Sequence, residues 1–335
     1  MPKKIIIIAE AGVNHNGKIE YAKKLIKIAS KAGADYVKFQ IYKADNQVIR
    51  NAPMAKYQIK NTKNKQSQYQ MIKKYEFSKN QFKILFNYCK KYRIKFLASC
   101  FDVNSAKNYL EIGGNVFKIA SGEINNLSLL EYIGKKNKKT FLSTGLATMK
   151  EIKVALKILI NSGTKKKNIY LLQCTTDYPC HINDANLLVI PNLAKKFNTK
   201  VGFSDHTAVT EAAVVAVALG SIVIEKHITL DKKMHGPDHK ASFNPKEFEL
   251  YVKSIRTAEK VLGDIKKKPT KNELKNLKLV RKSIVAKKII NKGDIFNHNN
   301  IIAKRPAGGI SPLKINNIYG KKSKRKFNVD EKISI

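Results

Sequence analysis

KVGFSDHT (residues 200–207) is a short apolar run that ends in Ser204, Asp205 and His206, and IVIEKHIT (222–229) repeats the build, ending in Glu225 and His227. Six further runs have the same form: KIIIIAEAG, YVKFQIY, KFLASCF, VFKIASGE, TFLSTGL and IYLLQCTTDYP. Between the runs lie helix-patterned segments such as EYAKKLIKIASKAG, KEIKVALKILINSG and TEAAVVAVALG, each closed by a glycine at the expected helix stop. Continuous hydrophobic strands alternating with helices predict a parallel sheet covered on both faces, and eight such units predict a (β/α)8 TIM barrel. A doubly wound open sheet is the alternative; it lacks a GxGxxG turn after the first run.

The 335 residues can bury a sizeable core in one large or two ordinary domains. A last helix pattern, FELYVKSIRTAEKVLG, closes a barrel domain over 1–263. The Lys-rich stretch 264–280 reads as a linker, and 281–335 as a small mostly-β domain built on KSIVAKKII and NKGDIF, followed by the loop KRPAGGISP. Residues 43–75 form a long polar insertion after the second strand, the kind of segment that is functional or disordered.

No apolar stretch approaches the roughly 18 residues of a membrane span, and MPKKIIIIAE is too short an apolar run for a signal peptide, so a soluble cytoplasmic protein without a membrane partner is expected. Cys89, Cys100, Cys174 and Cys180 show no CxxC pairing and read as reduced core thiols. The net charge of +40 raises nucleic acid as a partner, yet the lysines run from end to end without an RNP-like, helix-turn-helix or finger signature. No specific nucleic acid is expected; attraction of small anions is the better use of the field.

In a barrel, the carboxyl ends of the strands share one mouth. Those ends carry Glu10, Lys38, Gln40, Ser99, Lys118, Ser121, Glu123, Ser143, Tyr178, Ser204, His206, Glu225 and His227. Lysine ammonium groups with hydroxyls suit a phosphate or carboxylate. Two histidines on neighbouring strands suit one divalent ion with positions left for substrate. Glu10 and Glu123 are candidates for proton transfer. The set favours an anionic phosphorylated substrate and an electrophilic carbonyl.

AEAGVNHNG, VKFQ, KIASGE, LSTG, CTTDYP, GFSDHT, EKHITLDKKMHGPDHKAS and KRPAGGIS follow the order of the sialic acid synthase family, which the chain resembles over nearly its whole length. The final domain resembles the antifreeze-like (SAF) domain of these enzymes. The resemblance implies condensation of phosphoenolpyruvate with an N-acylated mannose-type sugar, with Mn2+ or Mg2+ on His206 and His227. It places Lys38, Ser99, Lys118, Ser121, Ser143 and Ser204 around phosphoenolpyruvate, and Gln40, Tyr178, Asp238 and Arg305 on the acceptor sugar. Arg305 would reach the barrel of the other subunit in a domain-swapped homodimer, and Glu10 and Glu123 would lie near the reacting carbons.

VKFQ, the YQIKNT and SQYQMIKK stretches and GPDHKAS look most like N,N'-diacetyllegionaminate synthases, whose acceptor is 2,4-diacetamido-2,4,6-trideoxymannose. N-acetylneuraminate synthases, using N-acetylmannosamine, are the alternative, followed by pseudaminate synthases and a non-catalytic sugar-binding relative. The chain departs from the usual pattern at Ala98, Ser99 and Cys100, at Leu146 and Gln173, and at Cys180 and His181. The last pair bears on the pose of Tyr178.

Overall fold

The computed structural model describes residues 4–62 and 66–335. Its first unit, ending at Gly263, is a closed barrel of eight strands: β1 (Ile6–Gly12), β2 (Tyr36–Ile41), β3 (Lys95–Cys100), β4 (Val116–Ile119), β5 (Lys139–Ser143), β6 (Ile169–Cys174), β7 (Lys200–Asp205) and β8 (Val223–His227). Every neighbouring pair is parallel, and β1 closes the ring against β8 with Glu10 opposite His227. All eight strands fall on the eight runs read from the sequence.

Side chains on a strand alternate between faces, so each barrel strand feeds the interior and the helix layer in turn. Outward positions such as Ile7, Ala9, Val37, Phe39, Ala98 and Phe203 join the large core beneath the helices. Helix 19–31 meets it with Ala22, Leu25, Ile26 and Ala29, and helix 149–161 with Ile152, Ala155, Leu156 and Leu159. Both sets follow the i, i+3, i+4, i+7 spacing of an amphipathic helix. Inward positions build a separate cluster of Ile8, Tyr36, Leu97, Phe141, Tyr170, Leu172 and Val223, which plugs the lower barrel.

Two residues further along each strand, the inward position changes character. Ile8 is followed by Glu10, Tyr36 by Lys38, Leu97 by Ser99, Val116 by Lys118, Phe141 by Ser143, Leu172 by Cys174, Gly202 by Ser204 and Val223 by Glu225. The apolar plug thus becomes the floor of a polar layer, and the strand period alone sets the height at which one gives way to the other.

The insertion after β2 is ordered over its described residues, with short helices at Ala44–Gln47, Lys56–Thr62 and Gln68–Lys73. Met54, Met71 and Ile72 pack with Tyr42 and Ala44 in a satellite cluster. No helix among the described residues is long and apolar enough to cross a membrane.

The second unit, Asp264–Ile335, pairs β9 (Ser283–Ala286) antiparallel with β10 (Ile301–Lys304) around Ile284, Ile290, Phe296, Ile301, Ile318, Phe327 and Ile333. Two details differ from the sequence reading. The stretch read as a linker contains a helix, Lys271–Val280, whose start is held by a reciprocal Thr270–Glu273 capping box. NKGDIF is not a strand: Asp294 accepts from the Asn291 N–H at 2.7 Å and Gly293 takes φ +93°, so it turns between isolated bridges at Ile290 and Ile295.

Gly202 occupies a plug position with no room for a side chain, since a Cβ there would lie 2.5 Å from the Val223 carbonyl oxygen and 2.6 Å from the Leu172 side chain. Gly202→Ala is therefore expected to cost about 1–3 kcal/mol of stability through overpacking. A urea unfolding midpoint unchanged from wild type would contradict this packing.

Candidate functional site

The polar layer above the plug is a chain of buried charges. Lys38 lies 3.0 Å from Glu10 and 3.4 Å from Glu225, and Lys118 lies 3.1 Å from the same Glu225 oxygen. Ser204 donates to that oxygen at 3.0 Å, Lys38 donates to Ser99 Oγ at 3.0 Å, and Gln40 donates to Glu10 Oε1 at 3.2 Å. All four charged side chains are at most 4% exposed. Isolated, each would cost several kcal/mol to bury; two ammonium groups against two carboxylates make the cluster tolerable.

The balance shows in the proton affinities. Burial pushes Glu225 up, but Lys118 and Lys38 outweigh it and hold its carboxylate down at about 2. Burial wins at Glu10, whose pKa is raised despite Lys38. Burial also wins at Lys118, whose pKa is lowered, whereas Glu10 and Glu225 overcome it at Lys38 and raise that lysine.

Hydrogen-bonding capacity is left over in this layer. Glu10 Oε2, Glu225 Oε2, Ser143 Oγ, Thr176 Oγ1 and His227 Nδ1 are buried with no partner among the described residues. Each unmatched group costs about 1–3 kcal/mol, and native folds keep such groups few. With Gln47 Oε1, six such atoms belong to residues of one cavity wall, the mark of a site built for something polar.

One step further out stand the rings of His206, His227 and Tyr178. The two imidazole centroids are 5.4 Å apart, and Tyr178 lies 4.2 Å from His206 and 5.6 Å from His227. His206 Nδ1 is 2.7 Å from the Thr175 carbonyl, which only accepts, so Nδ1 carries a proton and in the neutral ring Nε2 keeps its lone pair. Cys174 Sγ, at 3.7 Å from Nδ1, is the more distant neighbour. Burial would lower His206, but Cys174 and the Thr175 carbonyl raise it; burial, with His206 and Lys38 nearby, holds His227 well below the ordinary value.

Two adjacent imidazoles, one with its tautomer fixed by a backbone carbonyl and the other with an orphaned nitrogen, fit a divalent ion that draws its remaining ligands from substrate and water. No group of three or more His, Cys, Asp or Glu side chains suited to a metal occurs among the described residues. An ion held here keeps open positions.

The wall of this cavity contains every residue expected at the site except Glu123 and Arg305. Glu123 ends a short 3-10 turn at 121–123, where Asn126 donates to its Oε2 at 2.7 Å; burial raises its pKa and Asn126 opposes. Arg305 is exposed on the second unit, just after β10. Ser121 accepts from the Gly145 N–H at 3.0 Å. The Ser204–Asp205–His206 run divides by strand period: Ser204 and His206 face inward, while Asp205 is fully buried outside the cavity, 3.1 Å from Lys226 and accepting from Tyr251 OH at 2.7 Å.

Sequence reasoning assigned no role to Glu225, the acceptor shared by Lys38, Lys118 and Ser204; its place two residues after the plug residue Val223 was the available signal. It placed Thr176 at a strand end without giving it a role, and it missed Cys174 and the wall that Tyr57 and Gln58 of the insertion provide. The unusual Cys180–His181 pair leaves Tyr178 against His206, because the Cys180 N–H donates to the His206 carbonyl at 2.8 Å and needs no particular side chain. Gln173 likewise donates to the Ala185 carbonyl at 3.1 Å, tying down the same loop.

A model of the NeuB family matches residues 25–267, and a SAF domain model matches residues 281–334. The chain belongs to the NeuB family. It is 49% identical to the N,N'-diacetyllegionaminic acid synthase of Campylobacter jejuni over 331 residues, 99% of each chain. It is 40% identical to the enzyme of the same name from Legionella pneumophila, covering 94% of this chain and 89% of that one. Among solved structures, an N-acetylneuraminic acid synthetase from Leptospira borgpetersenii superposes with a TM-score of 0.72 at 33% identity, over 82% of this chain and 90% of that one. This NeuB-family chain is thus an enzyme of the sialic acid synthase type, as its motifs led us to expect.

Asp238, buried in the cavity wall, is pushed up from its ordinary 3.8 to about 7, first by burial and then by the Glu10 charge, with His206 opposing. The folded state therefore holds this proton more tightly than the unfolded state does. Its contribution to stability is whole below pH about 4 and fades as pH rises to about 7. Asp238→Asn should flatten the fall in unfolding free energy of the ligand-free protein across that window. Superimposable pH profiles would contradict the assignment.

Proposed function

We propose that this enzyme condenses phosphoenolpyruvate with 2,4-diacetamido-2,4,6-trideoxymannose, giving N,N'-diacetyllegionaminate and phosphate. The single observation that carries the chemistry is the buried Lys38–Lys118 pair beside Ser99, Ser143 and Ser204, directly beneath the two imidazoles. Two ammonium groups and several hydroxyls, preorganised in a water-poor chamber, suit a small molecule with both a carboxylate and a phosphate. The choice of sugar is supported by the two legionaminic acid synthases among the relatives and by the GPDHKAS and SQYQMIKK stretches.

In this reading Lys38, Ser99, Lys118, Ser121, Ser143 and Ser204 hold phosphoenolpyruvate with its C3 facing the acceptor. His206 and His227 hold a divalent ion, Mn2+ or Mg2+, which when bound supplies Lewis-acid polarisation of the acceptor aldehyde. Imidazole donors favour Mn2+ over the more strongly oxygen-seeking Mg2+. Tyr178, Gln40 and Asp238 orient the open-chain sugar. A new bond forms from C3 to the aldehyde carbon, whose oxygen takes up a proton. The oxygen of a water adds to C2, and the C2–O bond to phosphate then breaks, leaving the 2-keto acid.

Glu10 is the group we assign to the water proton. Its Oε1 is fixed by Lys38 and Gln40, its Oε2 has no partner among the described residues, and burial raises its pKa, which favours a carboxyl that takes up a proton. Glu123, on the rim, is the second carboxylate. Arg305 is assigned to the N-acyl group of an acceptor bound in the other subunit of a cytoplasmic, domain-swapped homodimer, a reading supported by the KRP motif.

Phosphate release from phosphoenolpyruvate with Mn2+, offering the diacetamido sugar and N-acetylmannosamine in parallel, tests this reading. The diacetamido sugar is expected to give the higher kcat/KM, and His206→Ala is expected to cut turnover by at least about 100-fold. Metal-loaded folded enzyme that releases no phosphate with either sugar would overturn the assignment.

A further inference from the structure

The two acceptors just compared are alike from C1 to C3 and differ only at their far ends. One carries an acetamido group at C4 and a methyl at C6; the other carries hydroxyls at both. Any preference must therefore be read by the wall that faces the end of the sugar remote from the aldehyde. The barrel strands contribute charged and hydroxyl side chains to the inner end of the cavity. The insertion after β2 contributes a different chemistry, uncharged amides and phenols with a small apolar patch: Gln47, Tyr57, Gln58, Gln68 and Tyr75 line the same cavity beside Met71 and Ile72.

Ring contacts link the two regions. His206 packs against Tyr178 with centroids 4.2 Å apart, and Tyr178 packs against Tyr57 at 5.2 Å, both pairs tilted, so ring contacts run from the imidazole pair to the insertion. The insertion is also tied to the loop carrying Asp238, because Asn61 donates to the Pro237 carbonyl at 2.7 Å. Met71 is held in the satellite cluster, and the Ile72 carbonyl accepts from Tyr42 OH at 3.0 Å. This wall is braced before any ligand arrives.

Two features of the wall match the two points of difference. Gln47 Oε1 is buried without a partner among the described residues, although its side chain lines the cavity. An amide N–H presented by the ligand would satisfy it. Met71 and Ile72 offer a methyl group an apolar surface and themselves give a hydroxyl no hydrogen-bond partner.

We infer that the described residues of the insertion within 43–75 form the acceptor-selecting element, with Gln47 Oε1 accepting from the C4 acetamido N–H and Met71 and Ile72 packing the deoxygenated C6. The inference rests on the acceptor reading above and adds which residues enforce it. Its neighbours in the reacting layer, Lys38, Lys118 and Glu10, treat both sugars alike.

The test is kcat/KM for three acceptors: the diacetamido sugar, N-acetylmannosamine, and N-acetylmannosamine lacking only its 6-hydroxyl. Gln47→Leu is expected to lower kcat/KM for the diacetamido sugar by about 10-fold while N-acetylmannosamine changes by less than about twofold. Met71→Gln is expected to move the ratio of 6-hydroxy to 6-deoxy sugar upward by about 10-fold, and Met71→Leu to leave it in place. Ratios between sugars are insensitive to a reduced fraction of folded enzyme, so partial misfolding would not mimic the effect. Equal losses on all three sugars in both variants would overturn the inference while leaving the acceptor reading standing. A wild-type enzyme that prefers N-acetylmannosamine would overturn the acceptor reading itself, and this inference with it.

Discussion

The whole molecule depends on one constraint, the two-residue period of a strand that closes into a barrel. Because Ile8, Tyr36, Leu97, Phe141, Leu172 and Val223 all face inward, the residues two positions later must face inward as well, one layer higher. That layer is Glu10, Lys38, Ser99, Ser143, Cys174 and Glu225, with Lys118 and Ser204 completing the ring. A slip of one residue in any strand would send its functional side chain into the apolar helix layer. The fold and the site are therefore specified by the same alternation.

The second dependence is electrostatic. The chain as a whole is strongly basic, yet its reacting layer is balanced, with Lys38 and Lys118 facing Glu10 and Glu225. This balance permits deep burial of four charges, and burial strengthens every charge–charge contact by removing competing water. The cluster does not satisfy itself completely, since Glu10, Glu225, Ser143 and His227 all keep unpartnered atoms. Stability is forgone at the position where a substrate supplies the missing partners, a distribution expected of a preorganised binding chamber.

The barrel was legible in the sequence because each strand is a compact apolar run and several helices end at a glycine stop, as at Gly33, Gly163 and Gly220, all with positive φ. Site residues were legible where they close such a run, as His206 and His227 do. Glu225 was harder, because its partner Lys118 is 107 residues away and no local pattern announces the pairing. Asp205 is the converse case: adjacent to two inward residues in sequence, it points outward and pairs with Lys226. The insertion resisted reading because helices of four to seven residues are too short to leave a periodic signature and depend on tertiary contacts for their existence. In the second unit, the strand expectation for NKGDIF rests on Ile295 and Phe296 alone and gives way to the turn chemistry of Asn291, Gly293 and Asp294.

The central claim is that the buried lysine pair is a ready-made anion site, formed before the acceptor binds. Calorimetric titration of phosphoenolpyruvate into wild-type enzyme and into Lys118→Met, without acceptor sugar, addresses it most directly. The account predicts binding to wild type and a loss of about 100-fold or more in the variant, since a charge-assisted contact in a desolvated chamber is removed. Equal affinity for the two proteins would mean that phosphoenolpyruvate is held elsewhere and would contradict the account.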